Sequence, residues 1–240
     1  KEADHCDFIK EDSLTAGQNL SDDYLLALVQ EELAKGNRQQ FIVLHTYGSH
    51  FNYRERYPAE AAFFQPDSPA DAEFKYRDNL INAYDNSIRY TDDFLSRQTG
   101  LQQQHDAGSA MLYTSDHGED IFDDHRHLFL PAPPVPSYYQ FHVPFIVWTS
   151  DTYREKYPEH MDALQKNRHK SVASNRVVFH SVLDLAGVTT TYVNDSLSVA
   201  SPSYTEFPRF YLNDHNEPRS YDDIGLRKED FEMFGKMGIR

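Results

Sequence analysis

Apolar positions along this chain fall into short unbroken runs and stripes at helical spacing, and the two patterns alternate. Leu25, Leu26, Val29 and Leu33 recur at three- and four-residue intervals, so residues 21–35 are expected to form an amphipathic helix. Ser21 or Asp22 can cap it and Gly36 can stop it. Phe41, Ile42, Val43 and Leu44 follow as a continuous run, which reads as a buried strand of a parallel sheet. A polar loop rich in Tyr, Pro and Ala leads to Glu73. Leu80, Tyr84, Ile88, Thr91 and Leu95 then share one helical face, with a stop expected before Gly100.

Residues 110–114 (Ala-Met-Leu-Tyr-Thr) form the second run and residues 143–148 the third, with Pro144 near the strand start, where a missing N–H is tolerated. Pro131, Pro133, Pro134 and Pro136 forbid regular structure between them. Val177, Val178, Ser181, Val182 and Leu185 predict a helix over 172–187. Residues 209–212 read as an edge strand and 230–236 as a short terminal helix. Strands alternating with helices imply an α/β fold with a mostly parallel sheet sandwiched by helices. No linker interrupts the pattern, so residues 1–240 are expected to form one domain.

Charge narrows the function. The chain has 23 Lys and Arg against 38 Asp and Glu, a formal net charge of -15, and no basic patch stands out. That balance argues against nucleic acid, whose phosphates need Lys and Arg. No apolar run approaches the length that crosses a bilayer. Cys6 is the only cysteine, which excludes an intrachain disulfide framework. The 16 Tyr and 16 Phe favour a folded domain over disorder.

Ligands of α/β sheets gather at the carboxyl ends of strands, and two such ends here carry metal-capable groups. One delivers His45, Thr46, Tyr47, Gly48, Ser49 and His50; the other delivers Asp116, His117, Gly118 and Glu119. Adjacent strand residues point to opposite faces, but a glycine at 118 lets the chain turn so that Asp116 and His117 converge. A carboxylate oxygen with an imidazole nitrogen suits Zn²⁺. His50, beyond Gly48, suits a metal-ligand or substrate role, and His45 an orienting role behind it. The run Glu119, Asp120, Asp123, Asp124, His125, Arg126 and His127 reads as a solvated face, from which His127 reaches the site only if the loop folds back.

These motifs carry a resemblance. Residues 45–58 (HTYGSHFNYRERYP), 83–95 (AYDNSIRYTDDFL), 113–119 (YTSDHGE), 141–148 (FHVPFIVW) and 179–188 (FHSVLDLAGV) resemble, in order, the phosphoethanolamine transferases of the alkaline phosphatase and sulfatase superfamily. The ordered set is far more specific than any one motif. The resemblance implies an alkaline phosphatase-like fold at the periplasmic face of the inner membrane of a Gram-negative bacterium. It implies zinc-dependent transfer of phosphoethanolamine from phosphatidylethanolamine to lipid A or another envelope glycan, through a covalent phospho-threonine. By position, Asp116 and His117 match zinc ligands and His50 a catalytic histidine that holds the phosphate group. His45, Glu119 and His127 are left as neighbours that support the ligands or touch substrate.

The family's nucleophilic threonine and a glutamate ligand precede the segment matching His45. Thr15 lacks a strand-to-helix elbow, so the chain is expected to be the C-terminal portion of a longer catalytic domain. Its membrane contact would then come from a missing N-terminal region, and zinc would be weak or absent in the 240 residues alone. The family's Leu-His-Gly pattern is replaced here by Leu130 followed by Pro131. A sulfatase or phosphodiesterase of the same superfamily is the alternative enzyme, and a non-catalytic binding relic the alternative of another class.

Overall fold

A computed structural model describes residues 3–7, 21–36, 39–105, 108–130, 136–212 and 217–239. Thr15 and Pro131, both singled out above, lie outside the described residues. The backbone contacts divide the chain into two compact units, Lys1–His105 and Asp106–Arg240, and each is described by itself.

The first unit is built on two helices. Helix α1 (Tyr24–Ala34) buries Leu25 and Val29, and Gly36 ends it at φ +66°, a conformation glycine adopts without strain. Neither Ser21 nor Asp22 caps it. The N-cap is Asp23, whose side chain makes no cap bond because it accepts from the Tyr90 hydroxyl at 2.6 Å and pairs with Arg97. Helix α2 (Arg77–Gln104) buries Leu80, Ala83, Ser87, Phe94 and Gln98 on one face. It runs through Gly100 rather than stopping there. One helical glycine costs only about 1 kcal/mol against alanine, less than an established helix loses by ending a turn early.

Asn86, fully buried on α2, organises the loop that precedes the helix. Its Oδ1 accepts the N–H groups of Phe63 and Phe64, both at 2.9 Å, and its Nδ2 donates to the Phe64 carbonyl and the Tyr57 hydroxyl. Tyr57 donates in turn to Asp67 at 2.8 Å. Burial pushes the Tyr57 phenol up to about 12, which keeps it a donor.

Residues 41–44 make no strand ladder, contrary to expectation. Phe41 and Val43 stand 75% and 74% exposed. A strand is completed by the hydrogen bonds of a neighbour, and no described segment supplies them.

In the second unit, β1 (Ala110–Thr114) and β2 (Phe145–Thr149) occupy the expected runs. They pair antiparallel, from Ala110 opposite Thr149 to Thr114 opposite Phe145. Strands β3 (Phe210–Leu212) and β4 (Pro218–Ser220) also pair antiparallel. The parallel pairing expected from the alternation is therefore not formed among the described residues. Among the described residues between β1 and β2 the only α-helix is α3 (Tyr138–Phe141), a single turn rather than a long crossover helix.

Two short helices follow β2, α4 (Asp151–Lys156) and α5 (Pro158–Asn167), and then α6 (Ser174–Leu185) packs on β1. Helix α6 buries Val177, Ser181 and Leu185 at four-residue spacing. Tyr153, Leu185 and Ala200 form one buried cluster, and Val177, Val199 and Tyr204 another; Val147 of β2 and Leu164 touch both. Helix α7 (Lys228–Lys236) closes the unit, starting two residues earlier than expected.

Replacing Asn86 by Ala should cost about 2–4 kcal/mol, because several buried polar groups lose their partner at once. Urea denaturation measures it. A loss under about 0.5 kcal/mol, the usual range for a surface change, would show that the loop does not lean on Asn86.

Candidate functional site

Strand β1 ends at Thr114 and the chain turns at Ser115–Gly118. The Ser115 hydroxyl donates to the His117 carbonyl at 2.8 Å, and the His117 N–H donates to Asp116 Oδ1 at 3.0 Å. Both side chains point to solvent, Asp116 84% and His117 42% exposed. His117 Nδ1 lies 2.9 Å from the Gly118 carbonyl, which can only accept, so Nδ1 carries the proton. In the neutral imidazole Nε2 then keeps its lone pair, 3.8 Å from Asp116 Oδ2. The two side chains expected to converge stand 3.8 Å apart at these atoms.

The reason for glycine at 118 differs from the expected one. Its N–H donates to the Gln140 carbonyl at 2.8 Å, and a Cβ there would fall 2.1 Å from the Tyr139 carbonyl oxygen. Close approach of two backbones, not an unusual φ, requires it.

The acidic run beyond Gly118 is solvated only in part: Asp123, His125 and His127 are exposed, whereas Asp120 and the Arg126 side chain are buried. Asp120 is 2% exposed and accepts from Ser137 Oγ at 2.7 Å and Gln140 Nε2 at 2.6 Å, while burial pushes its carboxyl up. Arg126 is buried between Asp124 and Asp230. Phe122 stacks on Phe129 with ring centroids 5.0 Å apart, and Ile121 bridges Phe129. A run of charges alternating with Ile121, Phe122, Leu128 and Phe129 was the available signal of a folded loop; its charged members were read as solvated.

His127 closes the turn, its N–H on the Asp124 carbonyl at 3.1 Å, with its side chain exposed. Glu119 is half-buried beside the motif. Among the described residues, no group of three His, Cys, Asp or Glu side chains is assembled to hold a metal. Within this unit, neither Glu119 nor His127 completes a donor set with Asp116 and His117.

His45 and His50 stand in the first unit, both exposed. Their loop is held by Asp22, whose carboxylate accepts the N–H groups of Tyr47 at 2.9 Å and Gly48 at 2.8 Å. Gly48 sits at φ +54°, which turns successive N–H groups inward into an anion-binding concavity. His50 Nδ1 lies against the Phe51 carbonyl, so in the neutral imidazole Nε2 keeps its lone pair.

Residues 3–188 match the sulfatase family. The chain belongs to that family. It is 36% identical over 140 residues to the Kdo(2)-lipid A phosphoethanolamine 7''-transferase of Escherichia coli (strain K12), across 58% of this chain and 24% of that protein. It superposes on the C-terminal periplasmic domain of EcEptC from Escherichia coli with TM-score 0.75, covering 88% of this chain and 60% of that one at 24% identity. A second structure of that domain, a complex with Zn, gives TM-score 0.68 over 88% of this chain and 59% of that one, also at 24% identity. The α/β, alkaline phosphatase-like fold expected from the motifs is the fold of this sulfatase-family chain. The chain spans about a quarter of the length of the transferase it matches.

Gly118→Ala should destabilise the protein by about 1–3 kcal/mol through overpacking. Denaturation of both proteins checks it, and an unchanged midpoint would mean that residues 139–140 yield without cost.

Proposed function

We propose that the protein moves phosphoethanolamine from a phospholipid, phosphatidylethanolamine, onto lipid A or another glycan of the bacterial envelope. The observation that carries this reading is the Asp116–His117 pair: two exposed metal-capable side chains, the imidazole held by the Gly118 carbonyl, at the end of β1. The named activity of the Escherichia coli relative supports the same group and acceptor.

The donor set fits zinc. It offers one carboxylate oxygen and one imidazole nitrogen with its lone pair free, 3.8 Å apart. Donors around a tetrahedral zinc stand about 3.4 Å from each other at bonds of about 2.0–2.1 Å, so a small side-chain adjustment suffices. Asp116 and His117 would hold the ion in the complete enzyme, with the remaining ligands and the threonine nucleophile supplied outside these 240 residues; the chain alone would hold it weakly or not at all. When bound, zinc would neutralise charge on the transferring phosphoryl group and lower the pKa of a hydroxyl nucleophile.

His50 is assigned a catalytic role in the transfer. Its exposed imidazole, on the loop held by Asp22, would donate a hydrogen bond to a phosphoryl oxygen when protonated, or accept the proton of an acceptor hydroxyl when neutral. Each within its own unit, His45 is assigned to orient His50, and Glu119 and His127 to orient Asp116 and His117 or to touch the acceptor. Residues 1–240 are read as one portion of a single catalytic domain at the periplasmic face of the inner membrane. No described helix is long and apolar enough to cross a membrane.

The test uses the full-length protein with labelled phosphatidylethanolamine and lipid A. Labelled lipid A should accumulate, and Asp116→Ala or His117→Ala should slow it by on the order of 100-fold or more, since even outer partners of a metal ligand cost 10–100-fold. Hydrolysis of a sulfate ester or simple phosphodiester without transfer would replace the reading by the alternative enzyme. Neither reaction, with zinc absent, would leave a binding protein.

A further inference from the structure

Asp230 stands on α7, in a segment beyond the residues that match the sulfatase family, yet it is among the most buried charged groups described. Its Oδ1 accepts Arg126 Nη2 and the Tyr138 N–H, each at 2.8 Å. Its Oδ2 accepts Arg126 Nη1 at 2.8 Å and the Arg227 N–H at 2.9 Å. One carboxylate thus starts α7, starts α3 and grips a guanidinium 104 residues away in sequence. Arg126, its side chain 3% exposed, also donates from Nε and Nη2 to Asp124.

Both ends of this contact lead to the metal-capable pair. Tyr138 opens the α3 turn, and within that turn Gln140 receives the Gly118 N–H and ties down Asp120 through its side chain. Arg126 lies in the loop that returns to Asp120, where the Leu130 N–H meets the Asp120 carbonyl at 2.8 Å. That loop holds three non-glycine residues at positive φ: Phe122 at 54°, His127 at 51° and Leu130 at 63°. Such conformations persist only where surrounding contacts over-determine them. The Arg126–Asp230 fork and the Phe122–Phe129 stack supply those contacts. On its other side α7 is seated by aromatic packing, with the Phe234 ring 5.2 Å from Tyr138 and 5.9 Å from Tyr221.

We propose that Asp230 is a positioning residue for the transfer reaction: through Arg126 and Tyr138, the C-terminal helix fixes the loop that presents Asp116 and His117. This rests on the function assigned above. A replacement that removes the charge and keeps the shape loosens the loop without touching substrate.

Asp230→Asn in the full-length protein tests it, with the exposed Lys236→Gln on the same helix as control. Amide exchange of the peptide covering residues 116–130 should accelerate by about tenfold or more as local opening becomes easier. Zinc affinity, by competition with a chromophoric chelator, should weaken by about 10–100-fold, the range for lost outer support of a metal ligand. The kcat should fall with the donor KM held within about twofold, since ground-state binding is untouched. Lys236→Gln should match wild type in all three. If Asp230→Asn yields no folded protein, Arg126→Lys, which keeps the charge and loses the fork, takes its place with the same expectations. Wild-type exchange and zinc affinity in the folded variant would overturn the proposal. If the wild type itself transfers nothing, the functional reading falls, and exchange and zinc affinity still decide what Asp230 does.

Discussion

At the exit of β1 the Gly118 N–H reaches the Gln140 carbonyl across a gap too narrow for any side chain, and the second unit is arranged around that approach. The contact bends the chain immediately after Asp116 and His117, so their side chains leave the strand and face solvent together. It also brings Gln140 over Asp120, whose buried carboxylate then needs partners and finds Ser137 and Gln140. Burying a carboxylate beside a site that needs its own carboxylate free is costly unless each has separate donors. Here Asp120, Asp124 and Asp230 are occupied with protein donors, and the Asp116 side chain is left mostly to solvent.

The first unit uses the same device with different groups. Asp22 satisfies the two N–H groups at the Tyr47–Gly48 turn, and Asn86 satisfies the backbone at Phe63 and Phe64. Single polar side chains on regular helices, or just before them, hold long irregular loops that backbone pairing alone would leave unsatisfied. That arrangement suits a fold whose chemistry sits on loops, because a loop needs rigid support to present a side chain within a fraction of an ångström.

Much of this was legible in the residues, and the limits have physical causes. Strand β1 was found at its observed bounds because five apolar or β-forming residues sit between breakers. The convergence of Asp116 and His117 followed from the glycine after them, although the cause is a backbone approach that no local pattern reveals. Antiparallel pairing of β1 with β2 was missed because alternation of strands and helices says nothing about a connection that lacks a crossover helix. Residues 41–44 carry the composition of a strand, but a ladder needs a neighbour and composition cannot supply one. Asp120, Arg126 and Asp230 were unreadable for a related reason: charged residues look solvated until distant partners fold against them, 17 and 20 positions away for Asp120 and 104 for the Arg126–Asp230 pair. The family, in contrast, could be read from the order of its motifs, since each is a site where geometry dictates residue type.

The central claim is that Asp116 and His117 form one half of a metal-binding set whose geometry the surrounding loop prepares. Anomalous diffraction at the zinc edge from crystals of the full-length protein tests it most directly. The expected result is a peak about 2 Å from both Asp116 Oδ2 and His117 Nε2, with His117 Nδ1 still on the Gly118 carbonyl. A zinc bound at other residues, or one held through His117 Nδ1, would contradict it.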